Sequence, residues 1–183
     1  MIGIALFLAA SIAIVKLSWR SLRSLRAHGF YRFFAFELLA ALIVLNLPIW
    51  FRDPWCARQI ASYVLGAISI ALAVEGFRLL AMIGKPSPEA TQSTNLAFEN
   101  TTTLVTSGAY RFIRHPLYAS LLALVLCVWL KAPLSALNIT MALAATGFLL
   151  ATALAEEKEN LARFGDEYAE YTRHTRRFVP FLF

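Results

Sequence analysis

The chain has 183 residues, of which 59% are hydrophobic and 15% charged, and its formal net charge is +6. Its mean hydropathy is +0.63. A water-soluble globular domain cannot divide so much apolar surface between a core and an exterior, so the composition excludes that class and predicts an integral membrane protein.

Five apolar stretches follow one another along the chain, and a membrane-spanning helix needs about 20 such residues. They are residues 2–17, 33–51, 60–84, 116–130 and 132–155. The first and fourth are short, so two arrangements stay open: five spanning helices, or three full spans plus a hairpin. We expect an all-α integral membrane fold with about five transmembrane helices.

The longest polar stretch, residues 85–107, divides the chain into two regions. Residues 1–85 would hold the first three transmembrane helices. Residues 86–183 would hold the last two and a cytoplasmic C-terminal segment. Cys56 and Cys127 have no neighbouring Cys or His at metal-ligand spacing, so we predict neither a disulfide nor a metal site.

Basic residues are distributed unevenly between the two sides of five spans. Fourteen of the 17 fall on the side of the C-terminus, and only Arg52, Arg58 and Lys131 fall on the other. The positive-inside rule therefore predicts an outside N-terminus and a cytoplasmic C-terminus. This distribution explains the positive net charge, because basic residues on the cytoplasmic side contact membrane lipids. We therefore expect no nucleic-acid partner. The oligomeric state stays open.

A dense polar cluster precedes the fourth apolar stretch, where residues 104–118 read LVTSGAYRFIRHPLY. Pro116 suits the first turn of a helix, so Arg114 and His115 would lie at a helix N-terminus, which attracts anions. Arg111 and Arg114 could present guanidinium groups to one carboxylate. Alternatively, both arginines are ordinary anchors at the membrane surface.

A second cluster begins with the adjacent carboxylates Glu156 and Glu157. We predict that they lie at the cytoplasmic end of the fifth helix, where the helix dipole disfavours negative charge. This placement points to a task such as holding an ammonium group, although a solvated helix exit would explain it too. Phe164, Tyr168 and Tyr171 would form an aromatic face, either on the membrane surface or at a site.

Two glutamates lie inside apolar stretches, Glu37 in the second and Glu75 in the third. Charges at such depth are costly and seldom idle. Glu75 could pair with Arg78 on the same helix face. Alternatively, it lines a polar tunnel for a substrate.

The two polar clusters together resemble the isoprenylcysteine carboxyl methyltransferase family. Residues 104–118 are similar to its Leu-Val-x-x-Gly-x-Tyr-(x)3-Arg-His-Pro-x-Tyr signature, with Ala109 where Pro is frequent. Glu156 and Glu157, with the Arg-x-x-Pro that begins at Arg177, resemble its second conserved-type segment. The resemblance covers the C-terminal half, while residues 1–85 share only the topology.

This resemblance implies a methyltransferase that uses S-adenosylmethionine, with a cytoplasmic cofactor pocket built by the C-terminal half. The acceptor would be an isoprenylcysteine-type carboxylate or a related lipophilic or lipidated substrate. The implied cofactor-binding residues are Tyr110, Arg114, His115, Pro116, Leu117, Tyr118, Glu157 and Tyr171. The implied catalytic residues are Arg177, which would hold an acceptor carboxylate, and Glu156, which would serve an amine acceptor. The compact chain points to a bacterial inner membrane.

Two other functions compete with methyl transfer. One is an NADPH-dependent membrane reductase of the sterol type, whose motif usually reads Arg-His-Pro-Asn-Tyr where this chain has Leu117 before Tyr118. No Gly-x-Gly-x-x-Gly fingerprint is present, which excludes a Rossmann-type cofactor domain. The other is a non-catalytic membrane scaffold, which would not need both polar clusters on one side of the membrane.

Overall fold

The computed structural model describes residues 2–86 and 96–181, and this part of the chain is largely helical. Within it lie six α-helices in chain order. They are α1 (Ile2–Ser18), α2 (His28–Asn46), α3 (Ala57–Met82), α4 (Pro116–Trp129), α5 (Ala136–Phe164) and α6 (Asp166–His174). Most of the polar linker, residues 87–95, lies outside the described residues.

Three of the described segments are long and apolar enough to cross a membrane, by length and composition. They are His28–Ile49, Ala57–Met82 and Ala136–Phe164. The helices α1 and α4 are apolar but shorter, as the two short stretches of the sequence predicted. The predicted all-α membrane fold class is confirmed.

The fifth helix corrects one expectation about the paired carboxylates. Since α5 continues to Phe164, Glu156 and Glu157 lie more than a turn before its end, and the argument from the helix dipole does not apply to them. The residues after Ala155 are mostly good helix formers, so the helix continues past the apolar stretch. It stops at Gly165, whose φ of 56° suits a glycine.

Local signals set the starts of the last two long helices. Pro116 occupies the first turn of α4, where its missing N–H is not needed. Ser135 caps α5, because its hydroxyl accepts a hydrogen bond of 3.2 Å from the backbone N–H of Asn138. These signals fix the first residue of each helix, and so they set the positions of the residues that follow along α4 and α5.

The helices pack in pairs, and the larger hydrophobic cluster of the described residues lies among α2, α4 and α5. The extensive contacts join α2 to α5, α3 to α4 and α1 to α2. The core includes Leu42, Val125 and Leu149, while Ala145 and Ala153 are small enough to let the backbones approach closely. Because α2 and α3 have few direct contacts, a space is left between them.

Both glutamates inside apolar stretches have polar or close-packed surroundings. Glu37 accepts a hydrogen bond of 2.6 Å from the hydroxyl of Ser11, which ties α1 to α2. Glu75 lies against the loop before α4, where its Oε1 is 2.6 Å from the position a Cβ would take on Gly108. Whether Glu75 also pairs with Arg78 stays a prediction.

Candidate active site

The loop before α4 is held in a tight, specific conformation. Gly108 has a φ of 58° and begins a short 3₁₀ turn that buries Tyr110. Leu79 and Glu75 of α3 press against Gly108 where any other residue would carry its Cβ. The hydroxyl of Tyr171 on α6 donates a hydrogen bond of 2.6 Å to the carbonyl of Tyr110. The loop is thus fixed between α3 and α6.

The same loop is hydrogen-bonded to the C-terminal segment through its backbone. The N–H of Arg114 donates to the carbonyl of Arg176 at 2.6 Å, and the N–H of His115 donates to that of Arg177 at 3.1 Å. In return, the N–H of Arg176 donates to Phe112 at 3.1 Å. These bonds bring the two polar clusters of the sequence together.

Glu157 is the ionic centre of this junction. Its Oε1 accepts hydrogen bonds from Arg114 Nε at 2.9 Å and from Arg177 Nε at 3.1 Å, and its Oε2 accepts one from Arg177 Nη2 at 3.1 Å. The Nη1 of Arg114 donates to the carbonyl of Thr175 at 2.6 Å. Two guanidinium groups on one carboxylate make a strong, oriented contact between α5, the loop and the C-terminal segment.

A cavity of about 270 Å³ lies beside this junction. Its polar end is formed by the loop, α5 and α6, and its apolar end by side chains of α2, α3 and α4. Seven of the sequence-predicted site residues line it: Tyr110, Arg114, His115, Leu117, Tyr118, Glu156 and Tyr171. Pro116, Glu157 and Arg177 are not part of the lining.

Glu156 differs from its neighbour in facing the cavity. Its side chain is 25% exposed, and its Oε2 is 4.0 Å from Nδ1 of His115. The ring of His115 stacks on Tyr118 with centroids 5.3 Å apart. The Glu156 carboxylate lines the cavity and shares a hydrogen bond with the hydroxyl of Tyr118, whereas Glu157 lies outside the lining and is occupied by arginines.

Two buried tyrosines, Tyr110 and Tyr168, and the half-buried Tyr171 surround the polar end. Burial raises the pKa of Tyr110 and Tyr171 above the usual range, and for Tyr110 the negative charge of Glu156 adds to the effect. Burial, with the charges of Glu157 and Glu156, likewise raises the pKa of Tyr168. These phenols stay neutral near pH 7 and can only act as hydroxyls.

A charged cluster that the sequence reasoning missed also borders the cavity. Arg32 Nη1 donates to Glu99 Oε1, and His28 Nε2 is 3.2 Å from Glu99 Oε2. On its other side, His28 Nδ1 is 2.7 Å from Glu159 Oε2. Arg32 and Glu99 line the cavity. Burial alone would raise the pKa of Glu99, but its contacts with His28 and Arg32 outweigh burial and hold that pKa below its usual range.

The sequence carried a weak signal for this cluster. His28 and Arg32 are four residues apart, the spacing that places two side chains on one helix face. Glu99 stands in the polar linker, where an acidic residue is unremarkable, and its partners lie 71 and 67 residues away. The spacing could have marked the pair, but nothing in the sequence pointed to Glu99.

This geometry can be compared with known proteins. The family model described as isoprenylcysteine carboxyl methyltransferase matches residues 67–163, more than half of the chain. The chain belongs to the isoprenylcysteine carboxyl methyltransferase family. The resemblance that residues 104–118, Glu156 and Glu157 indicated is thereby confirmed.

Relatives of the chain include methanethiol S-methyltransferases from two bacteria. Methanethiol S-methyltransferase of Mycobacterium tuberculosis is 34% identical over 71 residues, which are 39% of this chain and 28% of that protein. Methanethiol S-methyltransferase 2 of Bradyrhizobium diazoefficiens is 35% identical over 74 residues, 40% of this chain and 27% of that protein. Each alignment thus spans well under a third of the relative. No solved structure matches the chain at a significant level.

The family match covers only part of the cavity. It includes Glu99, the loop before α4 and Glu156, but it ends before Tyr168 and Tyr171 and begins after His28 and Arg32. The match therefore does not extend to the walls that α2 and α6 contribute.

Proposed function

We propose that this protein is an integral-membrane methyltransferase that uses S-adenosylmethionine to methylate a lipophilic acceptor, with a small thiol as the favoured acceptor class. Membership of the family supports methyl transfer. The single observation that carries the proposal is the cavity itself, because one continuous space joins a charged end to an apolar end. A charged donor and a lipophilic acceptor need such a space in order to meet.

The polar end fits the chemistry of the donor. S-adenosylmethionine has an ammonium group, which the exposed edge of the Glu156 carboxylate would hold. Arg114 commits its Nε and Nη1 to the protein, and we assign its Nη2 to the carboxylate of the donor. The neutral hydroxyls of Tyr168 and Tyr171 line the same end and suit ribose or adenine groups.

The cofactor, when bound, supplies a methyl group already activated by a sulfonium. The chain therefore needs no protein nucleophile, and its residues orient the two reactants and exclude water. His115 and Tyr118, which stack on each other in the lining, would form a rigid wall for this orientation. The Glu157 junction would keep that wall in place from outside the cavity.

The apolar end suits an acceptor that arrives from the bilayer. On α3, the lining runs from Leu80 through Phe77 and Ala73 to Ser69, a distance of about 16 Å along the helix axis. Phe36 of α2 faces this stripe across the space that the two helices leave between them. An apolar acceptor could reach the polar end by this route.

The names of the relatives favour a thiol among lipophilic acceptors. We further propose that the polar end faces the cytoplasm of a bacterial cell, since the basic residues favour that side and the donor is made there.

The test is methyl transfer by the purified protein in detergent or nanodiscs. Radiolabelled S-adenosylmethionine is offered with methanethiol, with a farnesylated cysteine analogue and with extracted membrane lipids. Label in the product of methanethiol supports the thiol assignment, and label only in a prenyl or lipid product overturns it. If no labelled product forms and added NADPH is oxidised, the protein is a reductase and the proposed methyl transfer is wrong.

One variant tests the apolar route separately. Ala73→Leu adds bulk to the middle of the α3 stripe without touching the polar end. We expect it to slow transfer to larger thiols more than to methanethiol, with the affinity for adenosylhomocysteine unchanged. A matched control is Ala71→Leu, an exposed position on the same helix. If Ala73→Leu and Ala71→Leu methylate every thiol at the same rate, the proposed route of the acceptor along α3 is wrong.

A further inference from the structure

Arg32 has unused hydrogen-bond donors at the cavity. Its side chain is 2% exposed and belongs to the cavity lining. Its Nη1 donates to Oε1 of Glu99. Its Nε and Nη2, which carry the remaining donors of the guanidinium, are buried and have no hydrogen-bond partner among the described residues. Buried donors without an acceptor are costly, so these N–H groups require a ligand or water.

The neighbours of Arg32 leave these N–H groups unsatisfied. Glu99 turns its Oε1 to Nη1, while its Oε2 accepts a hydrogen bond of 2.8 Å from the backbone N–H of Leu96 and is 3.2 Å from Nε2 of His28. The other ring nitrogen of His28 is 2.7 Å from Oε2 of Glu159. A ring between two carboxylates donates from both nitrogens. His28 is therefore a cation and offers Arg32 no acceptor.

The guanidinium of Arg32 lies beside the apolar wall of the cavity. Phe36 is one turn further along α2, on the same face of the helix, and it also lines the cavity. The Cζ atom of Arg32 is 6.0 Å from the centroid of the Phe36 ring. An acceptor that enters between α2 and α3 therefore meets a positive charge next to the apolar route.

The charges of the lining leave room for an anion once the donor is bound. The arginines and carboxylates of the described lining residues are Arg32, Arg114, Glu99 and Glu156, and their formal charges cancel. S-adenosylmethionine has an ammonium, a sulfonium and a carboxylate, so it adds one net positive charge. An uncompensated charge in a largely buried space is costly. An acceptor that binds as an anion restores neutrality.

We propose that Arg32 binds the acceptor, and that it holds a thiol in the thiolate form through Nε and Nη2. This inference rests on the proposed function, because it names the residue and the charge state by which that reaction takes its acceptor. The guanidinium fork can direct two N–H groups at one anionic atom. Arg177, to which the family resemblance gave the task of holding an acceptor, is not part of the lining, whereas Arg32 is.

The thiolate has lost its proton to water before it binds. Its sulfur electron pair forms the new S–CH₃ bond, and the bond between that methyl carbon and the sulfonium sulfur of the donor breaks. The electron pair of the broken bond stays on the donor sulfur, which becomes the neutral thioether of adenosylhomocysteine. One positive and one negative charge disappear together, and no group of the protein gains or loses a proton.

The same contact would separate the acceptor from its product. Methylation turns the anion into a neutral thioether, which no longer offers Arg32 a negative charge. A charge-assisted hydrogen bond is roughly twice as strong as a neutral one, so the product binds Arg32 more weakly than the thiolate does. The thioether then leaves by the apolar route, and Arg32 can bind the next thiolate.

Binding of the anion is measured without methyl transfer. The probe is 4-nitrothiophenol, a coloured thiolate in water at neutral pH, and its neutral counterpart is the methyl thioether 4-nitrothioanisole. The purified protein in detergent is loaded with adenosylhomocysteine, or with sinefungin, which keeps a positive charge near the position of the sulfonium but has no methyl group to transfer. We expect the wild type to bind the thiolate at least about tenfold more tightly than the thioether. The thiolate should bind more tightly with sinefungin than with adenosylhomocysteine.

Arg32→Lys is the first variant. An ammonium keeps a positive charge for Glu99 but has no planar fork to bind a second anion. We expect the affinity for the thiolate to fall by about tenfold to a hundredfold. The affinities for the thioether and for adenosylhomocysteine should be unchanged, which a general loss of structure would not allow.

A second variant removes the whole ion pair. When Arg32→Gln is combined with Glu99→Gln, no buried charge is left without its partner, so the test does not depend on Arg32→Lys alone. The thiolate should bind this double variant as weakly as it binds Arg32→Lys. The matched control is Arg163→Gln, because Arg163 contacts the carbonyls of Glu99 and Thr101 but is not part of the lining. It should bind the thiolate like the wild type.

Kinetics with methanethiol give the second measurement. In Arg32→Lys, the KM for methanethiol should rise by about tenfold to a hundredfold, while the affinity for the donor stays that of the wild type. If the wild type methylates thiols and Arg32→Lys keeps both its thiolate affinity and its KM, the inference is wrong and the proposed function stands.

Two further outcomes are informative. If the wild type binds the thiolate and the thioether equally well, water alone occupies the N–H groups of Arg32, and the inference is wrong. If the wild type binds the thiolate through Arg32 but methylates no thiol, the anion site is confirmed and the proposed thiol acceptor is wrong.

Discussion

Arg177 contacts both carboxylate oxygens of Glu157, with Nε 3.1 Å from Oε1 and Nη2 3.1 Å from Oε2. Neither side chain is part of the cavity lining. The pair instead connects the C-terminal segment to α5, and Arg114 joins it from the loop. The catalytic role for Arg177 that the family resemblance implied stays a prediction, and the geometry suits a residue that supports the site from outside.

Arg177→Ala should therefore weaken the fold of this region more than the chemistry. We expect a loss of about 1–3 kcal/mol in the free energy of unfolding, because a partly buried carboxylate loses charge-assisted hydrogen bonds. Thermal unfolding in detergent measures it. The control is Arg176→Ala, an exposed neighbour. If Arg177→Ala keeps the unfolding temperature of the wild type but transfers methyl groups much more slowly, Arg177 has a direct role in the reaction.

Glu156→Gln should weaken binding of the donor. The amide keeps the shape of the side chain and loses its charge, which costs about 1.5–3 kcal/mol at a charge-assisted hydrogen bond and so at least about tenfold in affinity. Calorimetry with adenosylhomocysteine measures this. Glu170→Gln, on the exposed side of α6, is the matched control. Identical affinities for Glu156→Gln and the wild type would remove Glu156 from the cofactor end.

Glu99 should make stability depend on pH in the acidic range. Since the folded pKa of Glu99 lies below its usual range, its ionised form stabilises the fold above the unfolded pKa of about 4.3, and this contribution is lost as the pH falls through the folded value. Glu99→Gln should cost about 3–5 kcal/mol at neutral pH, because Arg32 loses its partner.

The pH series for this variant is measured by unfolding in detergent. The difference between wild type and Glu99→Gln should shrink as the pH falls below about 4.3. A difference that stays constant over the whole series would show that ionisation of Glu99 does not stabilise the fold.

Gly108→Ala should disturb the loop before α4. The residue has a φ of 58°, and an added Cβ would stand 2.6 Å from Glu75 Oε1 and from Leu79 Cδ1. We expect a loss of about 1–3 kcal/mol in stability and weaker cofactor binding, because Tyr110 follows in the same turn. Gly147→Ala in α5 is the control, since nothing lies within 4 Å of its Cβ. It should be neutral or slightly stabilising.

The orientation in the membrane is open to a direct measurement. A reporter fused after Phe183 should be active only in the cytoplasm, as the distribution of the basic residues requires. A reporter active only on the outer face would separate the polar end of the cavity from the cytoplasmic pool of donor. It would then contradict both the orientation and the proposed site.

The sequence predicted those parts of the site whose signal is local. Arg114, His115 and Tyr118 stand together in a short motif, and the cavity lining includes all three. Glu99, His28 and Glu159 were missed because their contacts join segments 71 and 131 residues apart. Such a pairing depends on how α2 packs against α5, which no spacing along the chain reveals.

Hydropathy and charge by themselves determined the class of protein and the apolar helices, and the short motifs around His115 and Glu156 determined the family, since each of these is a property of short or averaged stretches of sequence. Only the tertiary structure decided which of two adjacent carboxylates meets the cavity. Successive residues of a helix point about 100° apart, so Glu156 faces the cavity while Glu157 turns to Arg114 and Arg177. Their roles were separated by the direction in which the packed helix presents each side chain.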